Sequence, residues 1–240
     1  MTKPPAIALK KNVHLTLGEG AGRVHILKGI DLEIEKKGSS TGLVGPSGSG
    51  KSTLLMVMAG LERADEGSVQ VAGSDLGPLS EDQLARFRGR NVGIIFQSFH
   101  LVPNMTALEN VAVPLELAGD PEAFDKAKAE LEAVGLGGRL QHYPAQMSGG
   151  EQQRVAVARA LVVEPEILIA DEPTGNLDDD TGTQIVDLMF AVQQERGTTL
   201  VLVTHDPNLA ARCDRMIRVR SGEIEETGAQ AQAAQAEASA

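Results

Sequence analysis

The stretch "GPSGSGKST", Gly45 to Thr53, fits the pattern G-x-x-x-x-G-K-[ST] at Gly45, Gly50, Lys51 and Ser52. Glycine costs backbone entropy and serine adds little to a core, so such a run around a lysine implies a backbone that something must approach closely. Thr41–Val44 reads as a short apolar strand leading into the run. Ser52–Ala59 reads as a helix leaving it, closed by Gly60. In that context Gly45, Pro46, Ser47, Gly48, Ser49 and Gly50 leave backbone N–H groups to wrap a polyphosphate. The helix start adds about half a positive charge aimed at the anion. Lys51 reaches the outer phosphates, the Ser52 hydroxyl offers one Mg2+ coordination position, and Thr53 adds a phosphate hydrogen bond.

Outward from this loop, residues 6–17 and 24–35 alternate apolar and polar and read as antiparallel strands, with "GEGAG" at 18–22 as their turn. Gly67–Gly73 is another strand, and Ser80–Arg90 a helix with Ser80 and Gln83 at capping-box spacing. Val92–Phe96 reads as a buried strand. Helical periodicity runs over Thr106–Leu117, over Pro121–Val134 with Pro121 at its first position, and over Gly149–Val163. The strands Ile167–Ala170, Leu200–Val203 and Arg215–Val219 follow, separated by helical stretches at 179–195 and 207–212. Alternating strands and helices imply a parallel sheet with both faces covered.

The chain has 240 residues, enough for a sizeable core. Its net charge of −11 and 2% aromatic content argue against a nucleic-acid partner, which recruits basic faces and stacking rings. One cysteine, Cys213, excludes an internal disulfide, fits a reducing cytosol and reads as a small apolar residue. The N-terminus "MTKPPAIALKKN" lacks the apolar core of a signal peptide, and no apolar run is long enough to cross a bilayer. Service to a membrane therefore requires docking onto another protein that spans it. The last residues, 229–240, are Ala/Gln-rich and low in complexity, and are expected to be disordered.

Two further segments carry chemistry. "ILIADEPTGNLD", 167–178, is an apolar strand ending in Asp171 and Glu172, and a carboxylate at such a strand end is expected to face the phosphate loop. Asp171 would hold Mg2+, and Glu172 would orient and deprotonate an attacking water. "MSGGEQQR", 147–154, places Ser148 23 residues before Asp171. Its two glycines precede a helix, making a second anion-directed helix start. The economical reason for two such starts on one chain is that the second grips the nucleotide of a neighbouring copy.

With "GPSGSGKST", Gln97 in "IIFQSF", "MSGGEQQR" and "ILIADEP…THD" in this order, the sequence resembles the ATP-binding-cassette (ABC) ATPases over about residues 6–227. The resemblance implies an α/β fold of the P-loop NTPase class, ABC type: a mixed sheet core with an antiparallel β meander and a helical subdomain. It implies one ATP-binding domain over 1–228, with the helical subdomain inserted at about 98–160. It implies ATP and Mg2+ as ligands and hydrolysis to ADP and phosphate. Ser148, Gly149, Gly150 and Glu151 match the signature loop that contacts the γ-phosphate across a head-to-tail homodimer. Gln97 matches the glutamine that senses Mg2+ and the attacking water. Gly175, Asn176, Leu177 and Asp178 match the loop linking the two sites, and His205 matches the histidine that steadies the γ-phosphate. His14, His25, His100 and His142 have no such support and are read as structural.

Within the family, "DEPTGNLD" with "SFHLVPNMTALENV" is similar to the ATPases of lipoprotein-release and macrolide-export permeases. "HYPAQMSGGEQQRVAVARAL" and "LAARCDR" are similar to a less characterised bacterial member paired with a large predicted permease. The implied partners are a second copy and an integral-membrane permease, at the cytoplasmic face of the bacterial inner membrane. Phe99, Leu101 and Val102 are expected to line a groove for a permease helix. Two other readings remain. One is a soluble ABC protein acting on DNA or ribosomes, opposed by the acidic charge and by the segment from Lys51 to Ser148, only 97 positions apart and without the extended heptads of a long coiled coil. The other is a regulatory ATPase that controls a permease-like partner without transport.

The chain departs from the family at three places. Met147 replaces leucine, a mild swap of similar volume. Glu151 replaces glutamine, and its charge is favourable at a helix N-terminus. Leu17 stands where an aromatic usually stacks on adenine, so Leu17 or Val24 offers apolar contact alone. Stacking contributes about 1–3 kcal/mol, so losing it narrows discrimination between bases. Turnover with GTP is expected to be comparable to that with ATP. A preference for ATP above about a hundredfold in kcat/KM would contradict this.

Overall fold

The computed structural model describes residues 5–35 and 38–225. The expected disorder of 229–240 falls outside them. The chain runs β1 (Ile7–Leu17), β2 (Val24–Ile34), β3 (Ser40–Val44), α1 (Lys51–Met58), β4 (Glu66–Val71), β5 (Ser74–Asp75) and α2 (Glu81–Asn91). It continues through β6 (Val92–Ile95), α3 (Ala107–Leu117), α4 (Ala123–Ala133), α5 (Gly149–Leu161), β7 (Ile167–Asp171) and α6 (Asp179–Arg196). It ends with β8 (Thr199–Val203), α7 (Pro207–Ala210), β9 (Arg215–Arg220) and β10 (Glu223–Glu225). Two compact units result, one within Met1–Pro78 and Val201–Ala240, the other Leu79–Leu200.

In the first unit, an antiparallel sheet has the order β2-β1-β4-β5. β1 and β2 pair from Ile7↔Ile34 to Leu17↔Val24, the hairpin that the alternation predicts. The register slips between Leu9 and Val13, where Lys11 and Asn12 take positive φ of 65° and 54°. Asp31 Oδ1 accepts from the Asn12 N–H there, replacing the lost ladder bond. A second sheet is mixed: β3 and β9 are parallel from Thr41↔Arg215 to Val44↔Arg218, and β10 joins β9 antiparallel. Ile7, Leu9, Leu27, Ile30, Ile34, Leu43, Leu54, Leu55 and Met58 are fully buried and form this unit's core.

One clamp sets the start of β3 and β9. Asp214 Oδ2 accepts from Ser40 N at 2.7 Å and Ser40 Oγ at 2.8 Å, while Asp214 N donates to Ser40 Oγ at 2.9 Å. The turn after β9 then buttresses the phosphate loop: Gly222 N donates to Ser49 O at 2.9 Å, and Lys28 N to Gly222 O.

In the second unit, β6 and β7 are parallel, from Val92↔Ile167 to Ile95↔Ala170. α3, α4 and α5 close over a separate apolar cluster that includes Val111, Ala112, Ala127, Leu131, Val155 and Ala158. The capping box at Ser80 and Gln83 forms as the spacing predicts. α4 starts later than expected: Asp120 Oδ1 accepts from Glu122 N in a side-chain turn, so Pro121 precedes the helix rather than opening it. Arg196 makes two 2.9 Å bonds to the Glu130 carboxylate. Burial nevertheless raises the Glu130 pKa, with Arg196 opposing it. β5 and β10, two and three residues long, are too short to show in the alternation pattern.

Cys213 lies in the first unit, buried, and its thiol pKa is pushed up to about 12 by burial first and by Asp214 second. Because the folded value is raised, its contribution to stability is complete below the unfolded value of about 8.5 and fades as pH climbs toward the folded one. At pH 8 the native protein is expected to resist a thiol-reactive chromogenic disulfide, and to react fully once unfolded in guanidinium. Prompt stoichiometric labelling of native protein would contradict the burial.

Candidate active site

The phosphate loop belongs to the first unit. α1 begins on Gly50, whose αL backbone (φ 100°) carries no capping side chain. By contrast, α2, α3 and α5 each open with a reciprocal capping box, at Ser80/Gln83, Thr106/Glu109 and Ser148/Glu151. An uncapped start leaves backbone N–H groups with no intrahelical acceptor, which is the donor array an anion needs. Lys51 is buried, and Nζ donates to Gly45 O at 2.8 Å and Pro46 O at 3.0 Å. An ammonium has three donors, so one remains for a phosphate oxygen. Ser49 Oγ is buried with no hydrogen-bond partner among the described residues, a donor awaiting an acceptor. Pro46, Ser47, Gly48 and Ser52 are exposed, Thr53 half-buried. Gly45 is required by close approach: a Cβ there would lie 2.0 Å from Val219 O.

His205 belongs to the same unit, exposed at the end of β8. Asp206 follows it and caps α7 by accepting from Asn208 N at 2.8 Å.

The second unit holds the remaining candidates. Asp171 ends β7, and Glu172 follows with a positive φ of 46°, unusual for a non-glycine residue. Gly175 N donates to Glu172 O at 3.0 Å, closing a turn with Pro173 at its favoured second position. Gln97 is exposed after β6, and the two loops touch. Asn176 Nδ2 donates to Gln97 O at 2.9 Å, and a Cβ on Gly175 would come within 2.6 Å of Gln97 Nε2. Asp178 caps α6, accepting from Thr181 N at 3.0 Å, and that bond leads the lowering of its pKa.

Ser148 caps α5: its Oγ accepts from Glu151 N at 3.2 Å, and its own N–H donates to Glu151 Oε2 at 2.9 Å. The hydroxyl proton and the N–H groups of Gly149 and Gly150 remain as donors of this turn. Glu151 shapes the turn instead of adding a donor. Its other oxygen accepts from Arg139 Nε at 2.8 Å, and Arg139 first, then Ser148 N, lowers its pKa. Met147 is buried and adds its side chain to the α3–α5 cluster. Phe99 and Leu101 are half-buried and Val102 is exposed, with Leu101 packed against that same cluster.

Sequence reasoning passes over Gln153, Arg159 and Arg139. Gln153 Nε2 donates to Pro173 O at 2.7 Å from full burial. Arg159 donates to His100 O and Phe99 O at 2.7 and 2.9 Å. Polar residues inside an amphipathic helix read as solvent-facing unless their neighbours are known. Among the described residues no helix is long and apolar enough to cross a membrane.

An open helix start on a phosphate loop, a carboxylate pair at a strand end and a second glycine-led helix start define an ATP-hydrolysing P-loop cassette. The chain belongs to the ABC transporter family, whose model matches residues 27–175. It is 51% identical over 220 residues to the ABC transporter ATP-binding protein YbbA of Escherichia coli strain K12, covering 91% of this chain and 94% of that one. It is 45% identical over 220 residues to the lipoprotein-releasing system ATP-binding protein LolD of Legionella pneumophila strain Paris, covering 91% and 96%. Among solved structures, the dimeric post-hydrolysis state of the ATP-binding cassette MJ0796 bound to ADP and Pi matches at TM-score 0.84 and 39% identity, covering 92% and 97%.

Gly45→Ala tests the loop geometry. Its Cβ would collide with a backbone carbonyl that no rotamer change relieves. The variant is expected to lose about 1–3 kcal/mol of stability on denaturant titration. Its nucleotide affinity should drop with it, and wild-type values for both would contradict the close approach.

Proposed function

We propose that this chain, with 1–228 as one ATP-binding domain, powers a separate integral-membrane permease through ATP-driven closure of a head-to-tail homodimer. The work is export or envelope lipid and lipoprotein handling at the cytoplasmic face of the inner membrane. The observation that carries this reading is the pair of unlike helix starts: α1 is open at Gly50, while α5 is capped yet keeps donors at Ser148, Gly149 and Gly150. One chain's α1 takes the triphosphate, and the partner's α5 closes on the γ-phosphate. A dimeric cassette bound to ADP and Pi among the matching structures supports pairing, and the LolD relatives support a permease partner.

Mg2+ fits the donors offered. Among the described residues no three His, Cys, Asp or Glu gather into a metal-holding group. Mg2+ characteristically uses one or two carboxylates together with substrate phosphates and waters rather than an all-protein cage. Ser52 Oγ, Gln97 and Asp171 would hold it, and the bound ion supplies charge neutralisation on the phosphate oxygens. Glu172 accepts a proton from water as the water oxygen bonds to the γ-phosphorus. The bond to the bridging oxygen breaks, and its electron pair leaves with ADP. Gln97 orients that water, Lys51 and the α1 N–H groups hold the phosphates, and His205 steadies the γ-phosphate. Asp178 helps set the loop between the paired sites. Loss of the γ-phosphate removes the group that bridges the two copies, and the open dimer is repopulated.

Glu172→Gln is expected to bind ATP, accumulate dimers on gel filtration with light scattering, and lose at least about a hundredfold in kcat. Lys51→Ala should lose most nucleotide affinity. Normal turnover in the first, or unchanged binding in the second, would remove the assigned role. Purification from detergent extracts should bring down an integral-membrane protein, and its absence would favour a soluble function.

A further inference from the structure

Helix α5 does more than present a signature turn. Gln153 lies one turn into it with no exposed surface, and donates from Nε2 to Pro173 O at 2.7 Å. Its other polar atom, Oε1, has no hydrogen-bond partner among the described residues. A buried acceptor without a partner is unfavourable, so packing alone would be better served by methionine or leucine. The donor is therefore the useful half of this side chain. It reaches the carbonyl one residue beyond Glu172, whose positive φ of 46° persists only if its surroundings over-determine it.

Six residues further on, about 9 Å along the helix axis and on another face, Arg159 repeats the arrangement. Its guanidinium donates to the carbonyls of Phe99 and His100 at 2.9 and 2.7 Å. Both acceptors are neutral, so the fork reads backbone position and not charge. His100 also holds a positive φ, 49°, and the segment begins two residues after Gln97. Burial lowers the Arg159 pKa, as expected for a guanidinium spent on carbonyls.

We propose that Gln153 and Arg159 are positioning residues for the reaction. α5 fixes the Glu172 loop through the Pro173 carbonyl, and the Gln97 loop through the carbonyls of Phe99 and His100, each in its own chain. The inference rests on the roles given above to Glu172 and Gln97. Asn176 Nδ2 on Gln97 O ties the two loops to each other, so α5 sets a single connected unit. A general base displaced by about 1 Å can lose on the order of a hundredfold in rate without losing substrate.

The test uses the full chain with Mg-ATP. Gln153→Met keeps volume and removes the donor. It is expected to lower kcat about tenfold or more, with KM for ATP and thermal midpoint unchanged. Combined with Glu172→Gln it should still give ATP-dependent dimers, because positioning of the base matters for chemistry and not for closure. Arg159→Lys keeps charge but not the fork, and is expected to lower kcat several-fold at unchanged KM. Wild-type kcat in either single variant overturns the proposal. So does a fall in thermal midpoint that parallels the loss of kcat, or loss of dimers in the double variant, since either indicates a packing role. Normal turnover in Glu172→Gln alone would instead overturn the role of the base. Loss of turnover there, beside full turnover in Gln153→Met, sinks the positioning inference by itself.

Discussion

The unsatisfied backbone N–H groups at the start of α1 are the constraint on which the rest depends. A helix start needs acceptors, and α2, α3 and α5 supply their own through Ser80, Thr106 and Ser148. α1 starts on Gly50 and supplies none. Ser49 Oγ, without a partner among the described residues, and the third proton of Lys51 are further donors of the same loop. The price is a local loop held only by its own backbone contacts and by the two Lys51 Nζ bonds to Gly45 O and Pro46 O. Its rigidity comes from outside: Gly222 N on Ser49 O, Val219 O against Gly45, and the Ser40–Asp214 clamp that registers β3 against β9. Parallel strands with slanted bonds pair less strongly per residue, so a side-chain clamp at the start of the pair is well placed.

A net charge of −11 opposes the approach of a polyanion at long range. The opposition is resolved by range. Exposed charges are screened beyond about 8–10 Å at physiological salt, whereas helix-start donors and a buried ammonium act within hydrogen-bond distance. Acidic groups near the active segments are turned to capping. Asp178 accepts from Thr181 N, Asp206 from Asn208 N, and Glu151 from Ser148 N and Arg139. For Asp178 and Glu151 this lowers the pKa, so their caps strengthen above the unfolded carboxylate range and weaken as pH falls through the folded values.

Much of this was legible in residue order. The β1–β2 alternation gave register ends within a residue, and the capping box at Ser80 and the phosphate loop followed from local spacing rules. Local chemistry reads well because both partners lie within a few positions. The Lys11–Asn12 bulge did not show, because the bond that accompanies it comes from Asp31, 19 residues away. α4 was misplaced by two residues because Asp120 captured the Glu122 N–H ahead of Pro121. Gln153 and Arg159 act across 20 and about 60 positions, on carbonyls that every residue type carries. No composition or period marks an acceptor that is backbone.

The same contrast explains where strain is kept. Lys11 and Asn12 take positive φ at an exposed bulge where Asp31 compensates. Glu172 and His100 take it in loops beside chemically assigned residues, each next to a carbonyl gripped from α5. A strained residue relaxes unless something opposes relaxation, and a flexible loop on its own cannot. A thirteen-residue helix packed by Val155, Ala158 and Leu161 can, because moving it disturbs a close-packed core. Placing the grips on α5 also ties them to the turn at Ser148. On the positioning roles proposed above, the settings of Glu172 and Gln97 would follow the position of that helix.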